Sequence, residues 1–280
     1  MDMFKLGETL YEMLALVFAF WNNQEALVFG LLGQSPVQFK GGGPWGLITS
    51  IEPVFVAVGS SFVVLFFVIG FCSESVDIRE EMRFEVILRM LIRLGLAEWF
   101  VANNLSIMQS VFLSVGNLVS LFPVENVNAL VIEPEQAEII KNLGFGESLI
   151  MLIIGSFLSI IVIICGFFLI YTVYFRFLKL FVIVPIGSLA FSTMSGNRMV
   201  AQTAVAYCKY FLSVVLEVVT MALAIIICNS FINAGLPEFT GNFSDWTKTL
   251  MYLFEMTFTI ALTVGSVKGA QNLISKVLGL

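Results

Sequence analysis

A chain of 280 residues has room for one or two soluble domains, but 59% of this one is hydrophobic and only 12% is charged, about half the charged share of a soluble domain. With a mean hydropathy of +0.97 it cannot cover itself with a water-facing surface. Its main solvent is therefore lipid, which predicts an all-α, polytopic membrane protein. The net charge of −6 argues against a nucleic-acid-coating surface, and the lack of histidine removes the commonest metal ligand and general base.

Residues 1–10 hold Asp2 and Glu8 against Lys5 and do not read as a cleavable signal peptide. Residues 8–32 are apolar but interrupted by Asn22-Asn23-Gln24-Glu25. A spanning helix needs about 20 predominantly apolar residues, so this segment predicts a helix lying in the interface or packed on a partner, with a poor spanning segment as the alternative. Residues 34–46 contain Gly41-Gly42-Gly43-Pro44 and read as a linker, with Trp45 as an interfacial anchor. On this reading residues 1–50 form an extracytoplasmic or interfacial region and residues 51–280 the transmembrane domain.

Residues 53–71 carry no charge and predict the first span, about 28 Å of helix, with Pro53 in its first turn. Residues 72–85, rich in acids beside Arg79 and Arg83, predict a solvated loop. Residues 86–122 predict the second membrane segment, longer than one crossing. Within it Arg89 and Arg93 share a helical face, and Glu85 is placed to pair with Arg89. The stripe Arg89, Arg93, Ala97, Asn104 is expected to face protein or water. Residues 123–148 form an acidic loop, and the uncharged residues 149–175 form a span in which Gly155 and Ser159 are a small-xxx-small pair. Residues 177–193, with Lys179, Pro185 and Gly187, are too short and too interrupted to cross; they are expected to enter and return or to lie along the membrane face. Residues 207–232 and 250–267 are the last two spans, followed by an amphipathic tail with Lys268 and Lys276.

These spans make five crossings. Arg79, Arg83, Arg176, Lys179, Arg198, Lys209, Lys268 and Lys276 then fall on one side, and Lys5, Lys40, Lys141 and Lys248 on the other. The positive-inside rule makes the first side cytoplasmic, with the N-terminus outside and the C-terminus inside the cell membrane.

Chemistry-bearing residues are few. Cys72, Cys165, Cys208 and Cys228 are widely separated, without C-x-x-C spacing, so they read as small core residues rather than a zinc site or disulfide framework. Glu217 and Glu255 are expected to be buried mid-span, at a cost of at least ~2.5 kcal/mol each; they either line a wet passage or hold helices together. Arg89 and Arg93 either line a channel for an anionic polymer or snorkel to the interface. Arg176, Lys179, Arg198 and Lys209 are candidates to contact a cytoplasmic partner, DNA phosphates or anionic lipid. The loop Ser195-Gly196-Asn197-Arg198 lacks the lysine-bearing P-loop pattern. No nucleophile–base pair, metal constellation or cofactor motif is visible, which argues for a non-enzymatic protein.

The Trp45-Gly46 pair ahead of the first span, the charged loop 76–85 leading to Ala97-Glu98, and the stretch VIVPIGSLAFSTMSGNRMVAQTAVAYCKYFLSVVLE ending at Glu217 resemble the TrbL-type polytopic inner-membrane subunit of conjugative type IV secretion systems, in its Gram-positive integrative-element form. The resemblance covers most of residues 45–280. It implies about five crossings, an oligomeric membrane platform or channel for single-stranded DNA and its attached relaxase, and partners among the energising ATPases and a bitopic assembly subunit. It brings no catalytic residue and no cofactor. The long central loop of some members is reduced here to residues 123–148. Two other readings compete: a small-molecule or ion transporter using Glu217 and Glu255, and an assembly scaffold of another export machine.

Overall fold

The computed structural model describes residues 6–77, 84–122, 130–233 and 244–279; Lys5, Arg79 and Arg83 lie outside them. Among the described residues there are eight α-helices and no strand: α1 (Leu6–Leu32), α2 (Gly43–Asp77), α3 (Phe84–Ala102), α4 (Asn104–Ser120), α5 (Pro134–Lys141), α6 (Phe145–Ser192), α7 (Arg198–Asn233) and α8 (Asp245–Val277). Five stretches are long and apolar enough to cross a membrane: Leu6–Leu32, Phe39–Ser73, Phe145–Ser195, Arg198–Ser230 and Asp245–Val277. The chain is thus a multi-pass, all-α membrane protein.

The count of five agrees with the sequence reading, but its members differ. The interruption at Asn22–Glu25 does not break α1. The Asn22 amide donates to the Leu130 carbonyl at 2.9 Å and accepts from the Leu130 N–H at 2.9 Å, while Asn229 donates to Glu25 Oε1 at 3.2 Å. Tertiary partners take up Asn22 and Glu25, and the helix continues through them. Residues 86–122 form two helices, α3 and α4, parted at Asn103 rather than one long segment. Residues 177–193 neither re-enter nor turn aside; through Ser192 they are the end of α6, which runs unbroken past Pro185. The linker is also shorter than expected. A single 3-10 turn at Phe39–Gly42 carries Lys40, Gly41 and Gly42 at φ of 49°, 69° and 80°, left-handed geometry that glycine adopts without cost. Helix α2 then starts at Gly43, so Pro53 lies inside it rather than in its first turn. Trp45 is buried, edge-on to Phe112 at 5.9 Å, and is not an interfacial anchor. Of the cysteines only Cys228 is buried; Cys72 and Cys208 are exposed.

The chain divides into two compact units. One comprises Met1–Gly33, Leu121–Tyr174 and Val219–Asn272; the other comprises Gln34–Ser120, Phe175–Val218 and Leu273–Leu280. The first unit holds α1, α5, the first part of α6, the last part of α7 and most of α8. Leu10, Leu14, Phe18, Ile140, Met151 and Leu253 form its core. Helix α1 lies close along α6 because Gly155 and Gly166 admit it: a Cβ on Gly155 would meet the Leu10 side chain at 3.0 Å, and one on Gly166 would meet Phe20 at 2.8 Å.

The second unit is an up-down arrangement of α2, α3–α4 and the two arms of an α6–α7 hairpin. Trp45 meets Phe112, while Ser60 further along α2 donates to Glu98 Oε1 at 2.8 Å; α2 and α3–α4 are therefore antiparallel. The hairpin turns at Thr193–Ser195, and Asn197 caps α7 by accepting from the Val200 N–H at 3.1 Å. A chain of rings, Phe100–Phe191–Tyr207–Phe211–Phe112–Trp45, with centroids 5.4 to 6.3 Å apart, links α2, α3, α4, α6 and α7.

Helix α2 reaches α6 through Gly59. A Cβ there would lie 2.8 Å from the Ser188 carbonyl oxygen and 3.1 Å from a Val101 methyl. The first of these is backbone and cannot rotate away. Gly59→Ala is expected to lower stability by about 1–3 kcal/mol, read as a drop in the thermal unfolding midpoint of the purified protein.

Candidate functional site

The second unit concentrates the buried polar chemistry in two clusters. The first centres on Glu52, which is 4% exposed. Its Oε1 accepts hydrogen bonds from Asn104 Nδ2 at 2.7 Å and from Ser188 Oγ at 2.8 Å. Asn104, fully buried, also donates to the Val184 carbonyl at 2.9 Å. From α7, the Tyr207 hydroxyl donates to the neighbouring Ile183 carbonyl at 3.0 Å. Glu52 Oε2 and Asn104 Oδ1 have no hydrogen-bond partner among the described residues.

The position of this cluster follows from Pro185. A proline inside a helix lacks the N–H that would reach the carbonyl four residues back and weakens the helix by about 3 kcal/mol. The carbonyl that it leaves without a helical partner is that of Phe181; the two carbonyls next to the ring, Ile183 and Val184, each take an additional side-chain donor from another helix. Gly187 lets those donors approach: a Cβ there would sit 2.6 Å from the Tyr207 hydroxyl and closer still to Asn104 Oδ1. The turn of α6 around Pro185 is thus tied to α4 and α7 by side-chain hydrogen bonds, and the helix runs on through it.

The second cluster lies between the arms of the hairpin. Lys179 Nζ is 3.1 Å from Glu217 Oε1 and 3.5 Å from Oε2, with side-chain exposures of 24% and 5%. Arg176, 2% exposed, also interacts electrostatically with Glu217. Its Nη2 reaches the Val215 carbonyl at 3.5 Å and its guanidinium lies 5.4 Å from the Phe177 ring centre. Arg176 Nε and Nη1 have no hydrogen-bond partner among the described residues.

Of the residues singled out from sequence, this geometry brings three together: Arg176, Lys179 and Glu217. Arg176 is not a surface contact for partner, lipid or DNA but a buried cation. Glu217 is buried as expected, yet it is clasped by Lys179 rather than lining a passage. Glu255 is exposed, not buried, although Thr259 and Thr263, four and eight residues further along α8, are buried. Arg89, Arg198 and Lys209 are exposed and Arg93 is half-buried. The stripe expected on residues 89–104 holds in part: Ala97 and Asn104 are fully buried, whereas Arg89 is not.

Glu52 escapes a sequence reading because it sits one residue ahead of Pro53, at the edge of an apolar run. A signal for it exists. Glu52, Gly59, Val63 and Gly70 recur at spacings that put them on one helical face, and each meets the α6–α7 hairpin: Glu52 and Gly59 at Ser188, the Val63 carbonyl at Ser195 Oγ (2.8 Å), and Gly70 at Gly196 and Asn197.

Fold and site together define a polytopic membrane protein whose second unit holds a buried ion pair and, separately, a buried carboxyl group met by neutral donors. Comparison with protein-family models, curated proteins and solved structures finds no match to this chain.

Proposed function

We propose that this chain is a non-enzymatic, oligomeric membrane subunit of a conjugative type IV secretion machine. In this role it helps to build the platform or channel through which single-stranded DNA and its attached relaxase leave the cell. Its partners are further copies of itself, the energising ATPases and a bitopic assembly subunit. The N-terminus is outside and the C-terminus in the cytoplasm. The motif resemblance carried by residues 45–217 supplies the family, and the outer surface of α6 supports the assembly.

That surface is the observation on which the reading rests. Helix α6 has 48 residues, a contour of about 72 Å. Large apolar side chains are exposed along it from Phe145 and Ile153 to Val182 and Ile186. The hydrocarbon core is ~30 Å thick, and a helix tilted by 40° finds only about 40 Å of it. The rest of this apolar surface needs protein to cover it, which a free-standing transporter does not provide and a multi-subunit machine does. The pairing of buried Glu217 with Lys179 and the exposure of Glu255 favour this reading over a transporter that uses both glutamates.

A photoreactive amino acid placed in vivo at Phe157 and at Val182 tests this. The expected products are adducts to a second copy of the chain or to another secretion subunit at one or both positions. Adducts to lipid alone at both would contradict the reading.

A further inference from the structure

The second unit contains a cavity of about 550 Å³ lined by Arg93, Arg198, Met194, Ala204, Val205 and Cys208, among others. Two features of it are unlike each other. Its walls are mostly small and apolar, and two arginines from different helices, Arg93 and Arg198, contribute to its lining. The volume falls within the range of small-molecule sites, about 300–1,000 Å³. Inorganic phosphate would fill only a fraction of such a space and would leave its apolar walls wet.

The depth of the cavity is fixed by α2. The uncharged run of that helix ends at Phe71, and charged residues follow from Glu74. Gly70, at the end of that run, packs against the hairpin turn: a Cβ on it would lie 3.1 Å from the Asn197 amide nitrogen and the Gly196 carbonyl carbon. Gly196 itself lines the cavity. The arginines therefore stand where hydrocarbon gives way to headgroups, and the apolar wall of α7 descends from them. Cys208 and Val205 are exposed, so the cavity opens outward to the lipid.

We infer that this cavity is a binding site for an anionic phospholipid, with Arg93 and Arg198 on the headgroup phosphate and an acyl chain against Met194, Ala204, Val205 and Cys208. Guanidinium groups bind phosphate through paired N–H donors, and each cation near an anionic headgroup contributes about 1 kcal/mol, roughly fivefold in affinity. The site is independent of the secretion reading, since it rests on the cavity and its depth alone.

The test uses the full chain reconstituted in phosphatidylcholine, with and without phosphatidylglycerol. Two quantities are read: lipid affinity by native mass spectrometry, and protection of Cys208 from a maleimide. Phosphatidylglycerol is expected to bind and to protect Cys208. Arg198→Gln should weaken binding about fivefold and Arg93→Gln with Arg198→Gln about 25-fold, whereas Arg198→Lys, which keeps the charge, should retain most of it. Lys248→Gln, which removes a cation that does not line the cavity, should change nothing. Because Arg198 is exposed, its single substitution reports on binding even where the double variant fails to fold. Unchanged affinity in Arg198→Gln, equal protection by phosphatidylcholine, or full protection by inorganic phosphate alone would each overturn the assignment.

Discussion

Replacing Glu217 by alanine is expected to lower the unfolding free energy of the protein by about 3 kcal/mol. Breaking a buried ion pair from one side costs about 3–5 kcal/mol because the other charge is left uncompensated. The lower end applies here because Lys179 keeps 24% side-chain exposure and recovers some hydration. Two cations lose their counter-charge at once, since Glu217 also acts on the buried Arg176. The signature that separates this from ordinary side-chain loss is the double variant. Lys179→Met with Glu217→Leu replaces the pair by apolar volume and is expected to recover a large part of the lost stability. Recovery stays incomplete because Arg176 remains. Thermal unfolding of the wild type, Lys179→Met, Glu217→Leu and the double variant in one detergent measures the cycle, with Glu217→Ala run alongside. A double variant no more stable than Glu217→Ala would show that the pair has no coupling of its own.

The second large effect lies at the splint of α6. Glu52→Ala removes the acceptor shared by Asn104 and Ser188. It strands a buried hydroxyl, leaves the Asn104 amide with Val184 alone, and opens a small void. An unsatisfied buried donor costs about 1–3 kcal/mol, and the void adds to it, so a loss of about 2–4 kcal/mol is expected. Glu52→Gln keeps both the volume and a carbonyl acceptor and should cost less than half as much. The measurement is again the unfolding midpoint, with amide exchange at residues 181–187 as the local readout: exchange there should speed up in Glu52→Ala. Equal midpoints for the alanine and glutamine variants would mean that the cluster does not brace the helix.

These two sites show where the sequence was readable and where it was not. The uncharged runs 53–71 and 149–175 announce membrane helices because period and charge content are local properties. The presence of a polar stripe ending in Asn104 was legible for the same reason. The fate of residues 177–193 was not, because a proline in a short apolar segment breaks a helix unless something else holds it. Here the holding groups are Asn104 and Tyr207, at separations of 80 and 24 residues along the chain, and no local rule joins them to Ile183 and Val184. The same holds for α1, whose polar interruption is satisfied by Leu130 and Asn229, 108 and 204 residues away. The Lys179–Glu217 pair was half legible. Both residues stood out, but the sequence put the lysine at the membrane face and the glutamate at mid-span. Only the hairpin register aligns them.

Gly59, Gly70 and Gly187 carry a related lesson. Each lies where a Cβ would collide with a neighbouring helix, so in this bundle the small residues mark the seams, as in other helix packings within lipid. The seams of the second unit run from Glu52 to Gly70 along one face of α2, and they meet the hairpin at its splinted turn, its cap and its tip.

The account turns on DNA transfer. The proposed role is tested most directly by an in-frame deletion of the gene in its native host, scored for the frequency of conjugative DNA transfer to a recipient. The account predicts that transfer is lost and that a wild-type copy supplied in trans restores it, while growth and other uptake by the donor stay unchanged. Transfer at the wild-type frequency in the deletion strain would contradict it.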